Sequence, residues 1–135
     1  MAKKEVDKGL LGNEKIEEDI RNLKAEFTDE NLAVVLTTIR RRISEEGQFV
    51  VAVEAARENE NLSLKTANFN GGKWFIAFTS FEEEMKGNNS VVSGFLADMA
   101  QLFKMAKESD KVEGVILNPY GSMITLNKAI IDVIL

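Results

Sequence analysis

The sequence predicts an α+β fold: a mixed, mainly antiparallel sheet of about five strands with helices packed on it. Three observations carry this. Residues 48–54 are apolar at nearly every position (Phe49, Val50, Val51, Ala52, Val53), the pattern of a strand covered on both faces. Asn70-Gly71-Gly72 separates residues 62–69 from residues 73–79 and supplies the residue types a tight hairpin needs, so these runs form a β-meander. A helical stretch then joins residues 73–79 to residues 115–118, and such a crossover within one sheet makes its two strands parallel.

Residues 1–28 read as a charged N-terminal extension. Ile16, Ile20 and Leu23 fall at i, i+4 and i+7, so a short amphipathic helix is expected over 13–26. Its thin apolar stripe suits a loosely docked or frayed helix, or else a partner-binding one. Residues 29–135 read as one α+β domain. Leu32, Val35, Leu36, Ile39 and Ile43 share a helix face over 29–46, with Thr28 and Asp29 as the N-cap and Gly47 past the end. Arg40, Arg41 and Arg42 sit near its C-terminus, where cations offset the negative end of the helix dipole.

Beyond the meander, Ser80 and Glu83 form a capping box that opens a short helix through Met85. A second helix is expected over 90–107, with Val92, Phe95, Leu96, Met99, Leu102, Phe103 and Ala106 on one face. Glu113-Gly114 turns the chain into the strand 115–118, which Pro119 ends by removing a ladder donor. The turn Pro119-Tyr120-Gly121-Ser122 leads to a strand over 123–126. Asn127 caps a last helix carrying Ala129, Ile130, Val133 and Ile134. The apolar end Val133-Ile134-Leu135 either packs back on the domain or marks where a protein partner, a second copy in a homo-oligomer, or a following domain would sit.

Composition narrows the chemistry. The 135 residues carry a net charge of −5, which opposes a nucleic-acid backbone. No apolar run approaches a membrane span and the first residues hold no secretory signal, so no membrane association and a cytoplasmic location are expected. There is no cysteine and no histidine. Thiolate nucleophiles, disulfides, Cys- or His-bound metals, Ser-His-Asp triads and His phosphocarriers are therefore excluded. No catalytic residue, metal site or cofactor is expected. Gly71-Gly72-Lys73 is followed by Trp74 where a phosphate loop needs Ser or Thr.

Parallel strands bring Thr79 and Asn118 out at the same sheet edge, where open sheets bind ligands. Thr79, Ser80, Asn118, Gly121 and Ser122 are the candidate ligand-binding cluster. Structural duties compete for them: Ser80 as a cap, Asn118-Pro119 and Gly121 as turn residues. Glu82, Glu83 and Glu84 occupy the positive end of the adjoining helix and oppose a phosphate, so a neutral or cationic amino acid or metabolite fits better.

The strand ending in Phe78-Thr79-Ser80, the acidic start of the next helix, and Val115-Ile116-Leu117-Asn118-Pro119 with a short strand and helix after it resemble the SseB protein N-terminal domain family. That family is also described through enhanced serine sensitivity and, in name, type III secretion. The resemblance spans about residues 31–135 and rests on the order and spacing of these motifs. It implies a bacterial, cytoplasmic α+β domain acting as a non-enzymatic binding or regulatory module, with no catalytic residue or cofactor to carry over. Members often continue into a second domain, and the charged N-terminal stretch lies outside the family's pattern.

Overall fold

The structure, a computed structural model, describes residues 8–55, 62–86 and 94–135. Its class is α+β. The elements run α1 (Asn13–Ala25), α2 (Asp29–Ser44), β1 (Gln48–Ala55), β2 (Leu62–Leu64), β3 (Thr66–Phe69), β4 (Gly72–Ala77), α3 (Phe81–Met85), β5 (Gly94–Asp98), α4 (Met99–Glu108), β6 (Gly114–Leu117), β7 (Ile124–Asn127) and α5 (Lys128–Ile134). The expected caps form: Thr28 Oγ1 accepts from Asn31 N at 3.1 Å, Ser80 Oγ from Glu83 N at 3.1 Å, and Asn127 Oδ1 from Ile130 N at 2.9 Å. Helix α2 closes with Glu46 in the left-handed region (φ 63°) and Gly47 N–H on Arg42 O at 2.7 Å, which satisfies a terminal carbonyl.

The strands divide into two sheets, β2-β1-β5 and β3-β4-β6-β7, instead of one sheet of about five. Two local events account for the difference. The run over 62–69 breaks at Lys65, so that β2 pairs with β1 and β3 pairs with β4. The helix expected over 90–107 is shorter, because Gly94–Asp98 is a strand lying antiparallel on β1. Helix α4 begins only after Asp98, whose carboxylate caps Gln101 N at 3.1 Å. Of the residues assigned to one face of that helix, Met99, Leu102, Phe103 and Ala106 are buried, Phe95 is 47% exposed on β5, and Val92 lies outside the described residues.

The sheets are joined at a fork. Val50 and Phe78 exchange main-chain hydrogen bonds at 2.8 Å each, joining β1 to the end of β4. Beyond that bridge Lys65 touches both strands, donating to Ala52 O at 2.9 Å and accepting from Ile76 N at 3.2 Å. The hairpin β3–β4 turns through Asn70 (φ 51°) and Gly71 (φ 80°), the double left-handed pair that matches strand twist. Strands β4 and β6 are parallel, with Ala77 opposite Leu117, and β7 returns antiparallel at the edge.

Helices α1, α2, α4 and α5 cover one face over a core that includes Phe49, Val51, Ala77, Phe103, Val115, Leu117 and Leu126; Val50, Trp74, Ile76, Phe78 and Ile116 make a smaller core on the other face. The expectation of a loosely docked first helix is corrected here. Ile16, Ile20 and Leu23 are at most 2% exposed and belong to the large core, so the division at residue 28 is not a division in packing. On α5 the buried side is Ile131 and Ile134, while Val133 and Leu135 stay 58% and 41% exposed. The apolar C-terminus thus packs back in part and leaves part of its surface open.

Candidate functional site

The candidate cluster begins where β6 stops pairing with β4. Asn118 N donates to Ala77 O at 2.9 Å, continuing the parallel ladder. Asn118 then takes a left-handed conformation (φ 54°) that Asn tolerates better than most residues. Its carbonyl turns away from β4 and accepts from Gly121 N at 3.1 Å, closing the turn around Pro119. The side chain fills the abandoned ladder position: Oδ1 accepts from Thr79 N at 3.0 Å, and Nδ2 donates to Thr79 Oγ1 at 3.1 Å.

Helix α1 completes the arrangement from above. Thr79 Oγ1 donates to Glu17 Oε2 at 2.5 Å. Asn13 Nδ2 donates to Thr79 O at 3.1 Å and to Gln48 O at 2.8 Å, while Asn13 Oδ1 accepts from Arg42 Nε at 2.9 Å. The Arg42 guanidinium also reaches Gly9 O at 2.7 Å and Glu45 Oε1 at 2.9 Å. Arg42 is therefore not a surface cation at a helix end: it is 6% exposed and bridges α2, α1 and the turn before α1. A second buried bond, Thr38 Oγ1 to Asp19 Oδ2 at 2.5 Å, clamps the same two helices.

Two of the five candidate residues, Thr79 and Asn118, are brought together, and both are 0% exposed. They were expected at an open sheet edge; α1 covers that edge with Asn13 and Glu17. Ser80 is the N-cap of α3. Gly121 is exposed in the turn, and a Cβ there would lie 2.5 Å from Glu83 Oε1. Ser122 follows, half-buried, with no part in the Thr79–Asn118 hydrogen bonds. Sequence reasoning missed Asn13, Glu17 and Arg42. A signal was present for two of them: Arg42 lies three and seven residues beyond Ile39 and Val35, and Asn13 lies three and seven before Ile16 and Ile20, so each sits on its helix's apolar stripe.

Glu83 and Glu84 stand beside this cluster on α3. Only half of the expected capping box forms, because the Glu83 carboxylate pairs with Lys86. Its Oε1, and Oε2 of Glu84, are the buried side-chain oxygens without a hydrogen-bond partner among the described residues. Burial raises the Glu84 pKa above its ordinary value, and the positive charge of Lys65 partly opposes this. On α1, hydrogen bonds to Asp19 and then Glu18 raise the pKa of Lys15. Among the described residues no group of three or more acidic side chains is placed to hold a metal ion, and no helix is long and apolar enough to cross a membrane.

A different opening lies at the far end of α1. A cleft of about 350 Å³ is lined from the α1–α2 corner, β7, α5 and Phe69 of β3, with Leu23, Phe27, Ile124 and Ile130 among its walls and Lys24 its single charged lining residue. Phe27 at its rim is 78% exposed. No family model, no curated protein and no solved structure matches the chain.

Proposed function

We propose that this chain is a non-enzymatic binding module of SseB-like type, bacterial and cytoplasmic, that engages a protein partner. The observation that supports this most is the contrast between its polar and apolar sites. Thr79, Asn118, Asn13 and Arg42 are buried and hydrogen-bonded to one another or to main chain, which suits them to holding α1 on the sheet. The apolar cleft beside α5 is open, and Phe27 stays in water at its rim. Ile130 brings the C-terminal helix into this surface, in keeping with a partner contact through that helix.

A small ligand at Thr79 and Asn118 would first have to displace Asn13 and Glu17, and with them a helix whose apolar stripe is in the core. The geometry favours the cleft. Cross-linking and mass spectrometry on the tagged full chain in its native host tests the reading, with Phe27→Ser and Ile130→Ala beside the wild type. A partner cross-linked near the cleft and lost with both variants supports it. The same partners retained by both variants would sink it.

A further inference from the structure

Resting on that binding-module reading, we propose that the cleft receives an extended peptide segment of the partner, added as a new strand to the outer edge of β7, with an apolar side chain in the cleft and an acidic one at Lys24. Among the described residues β7 is the last strand of its sheet, in the order β3-β4-β6-β7. The direction of its free groups follows from the ladder. Asn118 N turns to β4 to reach Ala77 O, and strand groups alternate sides, so Val115 and Leu117 turn to β7. They face Leu126 and Ile124 in register. Thr125, between these two, therefore directs its N–H and C=O outward.

That outward residue also lines the cleft, together with Ile124 of the same strand and Ile130 of α5. An unpaired strand edge is matched by main-chain groups of another extended chain, and a pocket beside it selects alternate side chains. The four residues Ile124, Thr125, Leu126 and Asn127 carry no charge and no proline, the two features that commonly block edge pairing. Charge sets the remaining preference. Lys24 forms no salt bridge among the described residues and is the cleft's single charged lining group, so a carboxylate on the incoming segment complements it.

The test uses the full ¹⁵N-labelled chain and a capped peptide of about seven alternating valines and threonines with a central glutamate. The expected result is slowing of Thr125 amide exchange by about tenfold on binding, with shifts at Ile124 and Ile130. N-methylation of alternate peptide residues should abolish the slowing. Replacing the glutamate by lysine should weaken binding several-fold to the wild type and strengthen it to Lys24→Glu, an exposed site where folding is not at stake. Unchanged Thr125 exchange, or equal binding of the N-methylated peptide, would overturn the strand addition. A cleft-dependent cross-linked partner in that case leaves the binding-module reading standing, whereas that reading fails only when the cross-links ignore Phe27→Ser and Ile130→Ala.

Discussion

Thr79 N donates to Asn118 Oδ1 at 3.0 Å, so a side chain holds the ladder position that the left-handed Asn118 main chain has vacated. The arrangement is specific to an amide, because Nδ2 simultaneously donates to Thr79 Oγ1. Asn118→Ala should destabilise the chain by about 3 kcal/mol, from a stranded buried N–H and a left-handed alanine. Asn118→Asp should be worse at neutral pH than near pH ~4, because its carboxylate would face the Glu17 carboxylate already bonded to Thr79. Urea titrations of the three proteins at both pH values check this; equal stability of the wild type and Asn118→Ala would refute it.

Arg42 should not tolerate lysine. The guanidinium contacts Asn13, Gly9 and Glu45 through three different nitrogens, a spread that one ammonium cannot match. Arg42→Lys is expected to lose about 2 kcal/mol in chemical denaturation, since it leaves the buried Asn13 Oδ1 or the partly buried Gly9 carbonyl without its donor.

The first helix should behave as core. Ile16 and Ile39 are both 0% exposed, one on each of the packed helices. Ile16→Ala and Ile39→Ala should each cost about 2–4 kcal/mol. Denaturation midpoints showing Ile16→Ala near the wild type would restore the view of α1 as an appendage.

Two glycines should respond very differently to alanine. At Gly114 a Cβ would lie 2.1 Å from the Leu126 carbonyl oxygen, and neither strand can yield. Gly114→Ala should cost about 3 kcal/mol. Gly71 has nothing within 4 Å, so only its φ of 80° resists substitution, for about 1 kcal/mol. Thermal melts of the two variants provide the comparison.

Glu84 supplies a pH dependence. Its folded-state pKa lies above the ordinary 4.5 because burial disfavours the charged form. The folded chain therefore holds its proton more tightly than the unfolded chain, and stability falls as the pH rises from about 4.5 through the raised value. Glu84→Gln removes the titration. Its Tm relative to the wild type should increase with pH across that window, by about 2 °C in all, the change kept small by partial solvation.

The legible parts of the fold were those fixed by neighbours in sequence. Thr28, Ser80 and Asn127 each cap the helix they precede, Asn70-Gly71 makes its turn, and the length of the crossover is enough to make β4 and β6 parallel. Strand β5 was not legible. Leu96 continues the spacing of Met99 and Phe103, so a helical period runs through it, and only pairing with distant β1 draws Gly94–Asp98 into extended form. The meeting of Thr79 and Asn118 could be read from the crossover. Their enclosure could not, because it depends on Asn13 and Glu17 arriving from 66 and 62 positions away.

Lys65 offers its N–H to one sheet and its carbonyl to the other, 2.9 Å from Ala52 O and 3.2 Å from Ile76 N. A slip of one residue in the β1–β2 pairing would carry β3 out of step with β4 as well. The two sheets thus share one register and should lose it together. Amides of β1 and β4 are expected to exchange through a single global opening, with no state in which one sheet survives the other.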